Sequence, residues 1–448
     1  MQLFLLASVN AYFCAMAEIR PLQAWRYNKS LSAEIENLTS PLFDVVSEKQ
    51  RQSLYRNPNN SIHISVPQPP FAADRAALLL EEWKTRGVIV QDRIPAVYVY
   101  YQYFTMPGNP KELCRKGFIC NIRIYPWDEN VIQRHENTIP NSVHDRLELL
   151  EKTELNVSPT HGLYTDTEFI LERYMDEAML NPLLETEDYQ GVRDVIAVIH
   201  DAKVIQHFID VLKNRKVILA DGHHRYEGSL AHLHQQKRAN PHHTGSESYN
   251  YHLMYLTNTE GGDLRILPTH RLIGGLADFD EELILKKVAQ HFTIKPVDDV
   301  ETLPEIIAGK KWAFGLVFKD RAFKVRLAEE EIKKLRWPFP REIKELDLTI
   351  MHYFIIQNAF GIPGKQQRRS PQINFDRSFA DCLKKVWNGN AQAAIITNEV
   401  SIEDVKRVCR SGFTMPQKST YFYPKVICGF LFGSIRQNEF RTSPYSPF

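Results

Sequence analysis

The chain has few cysteines, six in 448 residues, and none of them forms a C-x-x-C pair. This excludes a scaffold built on disulfides and leaves no signature of a zinc knuckle or a redox motif. Charge of one sign is also missing. Lys and Arg number 55 against 54 Asp and Glu, a formal net charge of +1, so no global field draws the chain onto nucleic acid or an anionic membrane. No apolar run approaches the ~20 residues needed to span a bilayer. Internal repeats and heptads are absent, which excludes solenoids and coiled coils. What is present is the ordinary material of a folded chain: 43% hydrophobic and 24% charged residues, with 20 Gly and 25 Pro. At about 150 residues per domain, this length predicts two to three domains.

Cys14, Cys114, Cys120, Cys382, Cys409 and Cys428 are scattered in the manner of reduced thiols, so a cytoplasmic location is expected. Cys114 and Cys120 flank Arg115 and Lys116 in an expected hairpin, where a surface disulfide is the alternative. Residues 3–17 are apolar and Ala15-Met16-Ala17 imitates a signal-peptidase site, yet the leading residues carry no Lys or Arg. Met16 opens a better start, and residues 1–15 read as an upstream start-site artefact.

Along the chain, a short helix is expected around Ser47–Tyr55, a strand at Ile62–Val66, and an amphipathic helix at Ala73–Thr85 with Leu78, Leu79, Leu80 and Trp83 facing inward. The aromatic and β-branched runs Ala96–Tyr103 and Phe118–Tyr125 predict a hairpin. Ser142 is the expected cap of a helix reaching Thr153. From Phe169 to Lys237 helical and strand patterns alternate, which is α/β organisation. The polar run Gln235–Ser248 reads as a linker. It divides an N-terminal domain, residues 16–245, from a second mixed α/β domain, residues 246–448, that closes on a strand at Tyr423–Phe432.

Three clusters carry chemistry. In the first, Asp221-Gly222-His223-His224-Arg225 follows the apolar strand Val217-Ile218-Leu219-Ala220 and precedes a helix. A strand ending in a glycine turn at a helix N-terminus presents free N–H groups and the positive end of the helix dipole, which suits a phosphate. His224 and Arg225 would add charge-assisted donors, and Asp221 would orient an imidazole or hold a metal bound to the phosphates. The plain alternative is a helix start with solvated histidines. A zinc site is a further alternative, because nine of the sixteen histidines lie between His200 and His252. However, the one i, i+4 pair of ligand types in the helix is His223 with Glu227, and His232 and His234 point to different faces.

The second cluster is Arg134-His135-Glu136-Asn137-Thr138 with His144-Asp145-Arg146. Glu136 or His135 can serve as general base and Arg146 can steady an anionic substrate group. A solvated capping loop is the alternative. The third is the run Met415–Lys425, where Lys418, Ser419 and Thr420 resemble a phosphate or carboxylate cradle without a preceding Walker loop. A packed strand start explains the same residues, since Tyr421 and Tyr423 alternate.

In this order the clusters resemble an uncharacterised family, the domain of unknown function 1015. The resemblance runs from Met16 to Phe432 and rests on Ile19-Arg20-Pro21, Pro41–Ser47, His135-Glu136-Asn137-Thr138, Ala220–Arg225 and Met415–Pro424. Leu42 and Phe43, Asn137 for Lys, and Gln417 for Pro depart from the family pattern. The Asp-Gly-His-His-Arg turn is also similar to the phosphate-binding turn of the ParB/sulfiredoxin-like fold, whose members include nucleotide-dependent kinases acting on free serine. That resemblance implies such a fold for the N-terminal half and Glu136 as base, with Asp221 and His135 as further catalytic groups. Read with it, the clusters place Gly222, His223, His224 and Arg225 on the phosphates and Arg146, Lys418, Ser419 and Thr420 on the substrate. The cofactors are then Mg²⁺, through Asp221, and ATP or ADP. The expected activity is phosphoryl transfer between a nucleotide and a small hydroxyl compound such as serine, with no nucleic-acid or membrane partner. Phosphomonoester hydrolysis and nucleotide binding without catalysis are the alternatives.

Overall fold

A computed structural model describes residues 16–106, 109–416 and 418–443. Residues 1–15, with the expected start-site artefact, and Gln417 lie outside the described residues. Among those described, nine strands form the larger sheet: β1 (Ile19–Arg20), β2 (Val97–Met106), β3 (Asn109–Arg123), β4 (Ile132–Arg134), β5 (Thr160–Tyr164), β6 (Leu184–Glu187), β7 (Arg193–Ile199), β8 (Val217–Asp221) and β9 (Tyr251–Asn258). Their order is β4-β8-β5-β9-β3-β2-β7-β6, with β1 paired to β3. Alternation along β2 serves two cores at once. Tyr98 and Tyr100 join Trp83 and Phe432 on one face, whereas Val97, Val99 and Tyr101 join Phe118 and Phe208 on the other. With both faces covered, β8 is buried along its whole length, and it runs parallel to β4 and antiparallel to β5. β8 delivers the chain to α2 (His223–Ala239), which packs beside α1 (Pro140–Thr153).

A second sheet has six strands: β10 (His270–Ile273), β11 (Phe292–Val297), β12 (Ala313–Val317), β13 (Ala322–Leu327), β14 (Ile373–Asp376) and β15 (Ala393–Ile396). They are ordered β11-β13-β12-β15-β10-β14. Phe314 and Ile355 anchor the core on one face, and Leu272, Val317 and Cys382 anchor the core on the other. The molecule is thus mixed α/β, as expected. No helix among the described residues is long and apolar enough to cross a membrane.

Several local expectations change. Ile62–Ser65 is helical instead of extended, because the Asn60 side chain accepts from the Ile62 N–H and starts a turn. The Ala72–Thr85 helix buries Ala73, Ala76, Leu80 and Trp83, leaving Leu78 73% exposed. At 100° per residue Leu78 lies on the opposite side from Leu80. Pro140, not Ser142, opens α1, since its missing N–H costs nothing at a first helical position. Tyr423–Phe432 is not one strand. Tyr421–Tyr423 pairs with Arg265–Leu267, and the chain beyond turns at Gly429 (φ +108°) and makes single bridges to Ser40 and Trp25. Cys114 and Cys120 are both free. Six residues apart on β3, they stand about 20 Å from each other, too far for a disulfide.

The division at residues 245/246 does not follow the sheets. β9 lies inside the larger sheet, between β5 and β3. The C-terminal run returns Val426, Ile427, Cys428, Phe430, Leu431 and Phe432 to the core of that sheet. The polar run read as a linker is the last turn of α2 and the loop that leads from it to β9 within this body.

Candidate functional site

β8 ends on Asp221, and Gly222 turns the chain into α2 at φ +88°, a left-handed conformation that glycine adopts without penalty. A Cβ there would stand 2.6 Å from Thr160 Cγ2, so both conformation and space require glycine. No side chain caps α2. Its first N–H groups and dipole therefore remain available to an anion. Ala220, Asp221, Gly222, His223 and His224 line a cleft of about 540 Å³, closed on other sides by Phe43, Asp44, Glu136, Thr269, Phe375, Asp376, Arg377, Lys418, Thr420, Tyr421 and Lys425.

Within the cleft, Glu136 rests on the start of the third cluster. Its Oε1 accepts from the amides of Ser419 (3.0 Å) and Thr420 (3.3 Å) and from Thr420 Oγ1 (3.3 Å). Burial raises the Glu136 carboxyl above its usual range, and the Thr420 and Ser419 amides offset this in part. A carboxylate raised in this way is a stronger base than a solvated one. His135 shares a 2.7 Å hydrogen bond with Thr420 Oγ1 and is pushed down to about 4 by burial, so it is neutral at pH 7. It supports Thr420 and does not line the cleft.

Asp221 is buried between two cations. Arg225 Nη2 donates to Oδ2 at 2.9 Å, and Lys425 Nζ donates to Oδ1. Burial pushes this carboxyl up, but Lys425 and Arg225 outweigh it and hold it well below the usual carboxylate range. With an oxygen committed to each cation, Asp221 fits the role of a counter-ion rather than that of a metal ligand. Among the described residues no group of three or more His, Cys, Asp or Glu is arranged to hold a metal ion.

His223 and His224 both line the cleft, and burial pushes both down, so both are neutral. His223 Nε2 is buried with no hydrogen-bond partner among the described residues, and its ring stands edge-on to His135 at 4.8 Å. His224 Nε2 accepts from the Ile139 N–H at 3.0 Å, which leaves Nδ1 to carry the ring proton as a donor.

Two expected cations do not reach this cleft. Arg225 turns inward, its Nη1 donating to Ser158 Oγ (2.8 Å) and Pro159 O (2.7 Å), and it holds Asp221 from behind. Arg146 is spent on Asp145 and the Ser65 carbonyl, with Phe43 stacked 4.5 Å from its guanidinium. Arg225 and Arg146 together line a separate void of about 30 Å³. Ser419 is also buried, with its hydroxyl on the Pro416 carbonyl, so only its amide serves Glu136. Lys418, at φ +52°, and Thr420 do line the cleft.

Sequence reasoning missed Lys425, which closes the third cluster, and Asp44, inside the Pro41–Ser47 string. It had no signal for Phe375, Asp376 and Arg377, which enter at the end of β14 from the second sheet.

The family described as "Protein of unknown function (DUF1015)" matches residues 19–349. Among curated proteins no relative matches the sequence. Solved structures offer faint likenesses. A free serine kinase in complex with AMP is 11% identical, with a TM-score of 0.33 over 65% of this chain and 84% of that one. SbnI with a C-terminal truncation, from Staphylococcus aureus, is 11% identical, with a TM-score of 0.35 over 70% of this chain and 89% of that one. A conserved hypothetical protein from Pyrococcus furiosus is 11% identical, with a TM-score of 0.32 over 66% and 89%.

Proposed function

The chain belongs to the DUF1015 family, and because that membership names no reaction, we propose from the cleft itself that the protein transfers a phosphoryl group between a nucleotide, ATP or ADP, and a small hydroxyl compound such as serine. The observation that carries this reading is one cleft holding both an uncapped helix N-terminus and a carboxylate of raised basicity, Glu136, beside Lys418 and Lys425. Phosphoryl transfer asks mainly for positioning and charge neutralisation, which these groups supply.

In this proposal the amides at the start of α2 and the His224 Nδ1–H hold the phosphate oxygens, and Lys418 and Lys425 balance their charge. Mg²⁺ bound with the nucleotide would neutralise phosphate oxygens. Asp221, already paired, is not assigned to it. Glu136 takes the proton of the acceptor hydroxyl as that oxygen bonds to phosphorus and the bond from phosphorus to the nucleotide oxygen breaks. His135 and Ser419 hold the base in place through Thr420 and the backbone.

Phosphorus NMR on the purified protein with Mg²⁺, ADP or ATP, and serine tests the proposal. A phosphoserine signal is expected, reduced at least ~100-fold in rate in Glu136→Gln. Inorganic phosphate released from phosphoserine alone would replace transfer to an acceptor with hydrolysis, and no turnover with any hydroxyl acceptor would remove the catalytic reading.

A further inference from the structure

A second cavity, of about 1150 Å³, adjoins the cleft. Arg377 lines both, and the chain at Pro268–His270 runs between them: Thr269 faces the cleft, whereas Pro268 and His270 face the second cavity. The two spaces differ in chemistry. The cleft is walled by ionisable groups and the α2 N-terminus. The second cavity is about twice as large and its surface is mainly apolar, from groups such as Pro268, Leu348 and Phe379, with Lys311, Asp347 and Asp404 among its charged lining residues.

Among its lining groups is one buried imidazole. His270 is 3% exposed, and burial pushes it down to about 4, so its ring is neutral. Its Nδ1 accepts from the Thr397 N–H at 3.2 Å, which puts the ring proton on Nε2. No hydrogen bond joins Nε2 to another described residue, and His270 lines the second cavity, so this N–H is free to meet a bound group. The ring stands edge-on to Phe379, 6.5 Å away. At the junction, Arg377 lies over Tyr421, its guanidinium carbon 3.5 Å from the ring centroid, and pairs with no carboxylate among the described residues.

We propose that the second cavity takes the nucleoside part of the nucleotide, with the aromatic base against the apolar wall by Phe379 and an acceptor atom on its edge receiving the His270 Nε2–H. Arg377 then meets the phosphates as they pass into the cleft. The inference rests on the phosphate reading of the cleft and adds where the base goes. An acceptor the size of serine would leave most of 1150 Å³ unfilled and has no use for apolar walls. A nucleotide has one polyanionic end and one flat, weakly polar end, which matches two adjoining cavities of those characters. A neutral donor suits a base edge better than a charged one, because a buried cation facing an uncharged ring would keep its desolvation cost.

Equilibrium binding of three probes, pyrophosphate, adenosine and ADP, separates the parts. Ala380 lines the second cavity with an exposed side chain, so Ala380→Trp fills the space without disturbing the core. It is expected to weaken adenosine and ADP at least tenfold while pyrophosphate binds as before. Lys418→Ala is expected to weaken pyrophosphate and ADP and to spare adenosine. Photolabelling of the unaltered protein with 2-azido-ADP should mark peptides containing His270 or Phe379. Unchanged ADP affinity in Ala380→Trp, or labelling confined to other peptides, would overturn the nucleoside site and leave the phosphate cleft standing. Failure of pyrophosphate and ADP to bind the unaltered protein would remove the cleft reading itself.

Discussion

Asp221 and its two cations show what is at stake in single side chains at this site. The Lys425 ammonium and the Asp221 carboxylate are 12% and 10% exposed, so neither recovers much hydration if its partner is lost. Removing one member of a buried pair costs about 3–5 kcal/mol, most of it from the charge left behind. Lys425→Met is therefore expected to lower the urea midpoint, although Arg225 still pairs with Asp221, and Asp221→Asn, which leaves both cations without a carboxylate, should lower it further. A Lys425→Met protein as stable as the unaltered one would show that the pair is solvated. Because the Asp221 carboxyl titrates lower in the native state than in the unfolded chain, its contribution is full above about pH 4 and is lost as acid protonates it. The residue types of this site were legible: Asp221, Gly222, Glu136 and Lys418 stand where strand, turn and cluster place them. The directions of long side chains were not. Arg225 and Arg146 have the charge to hold an anion, but their reach lets them serve inward acceptors, and only packing settled which they take.

Among the elements, the β8–Gly222–α2 junction is the most constrained. Its conformation is left-handed, and Thr160 of the neighbouring β5 closes the space where a Cβ would lie. Gly222→Ala is expected to destabilise the fold by about 1–3 kcal/mol and to lose most pyrophosphate affinity, because the backbone must shift the first amides of α2. Thermal unfolding and isothermal titration read the two effects, and an alanine variant that binds pyrophosphate normally would count against use of that turn. This junction could be read from the sequence because an apolar run, a glycine and a helical pattern follow one another locally. The wall brought by β14 could not, since Phe375–Arg377 sit about 150 residues away and approach through sheet pairing. The segment Ile62–Ser65 misled for a related reason. Its apolar alternation suits a strand, yet an Asn60 turn took precedence.

For the whole molecule, buried histidines set the acid limit. His135, His161, His223, His252, His270 and His352 are all pushed down by burial, to about 4 for His135 and His270 and about 3 for His252 and His352. In the unfolded chain each would titrate near ~6.5. Below that value the unfolded chain binds protons that the native state refuses, so stability falls as pH drops from about 6.5 towards 3. Asp194, pushed up to about 8 by burial, has the opposite sign and lowers stability as pH rises towards 8. The melting temperature is expected to peak near pH ~6.5, and a flat profile between pH 4 and 6.5 would contradict the burial of these rings. The C-terminal return adds a second expectation. Ending the chain before Tyr421 removes six buried side chains from the core of the larger sheet. At about 1.5–3 kcal/mol each, the loss is comparable to or larger than the usual net stability of about 5–15 kcal/mol, so the shortened protein should be insoluble or lack a cooperative melt.

Read by itself, the sequence determined the α/β class, the hairpin of β2 and β3 and the strand–glycine–helix turn, because each depends on neighbours within a few residues, where periodicity, turn chemistry and helix ends act. The tertiary structure alone decided that β9 and the C-terminal run complete the larger sheet, that Arg225 supports Asp221 from behind, and that Lys425 and Arg377 face the cleft. Those outcomes depend on which distant surfaces bury one another and on where a long charged side chain finds its acceptor, and neither is written in local order.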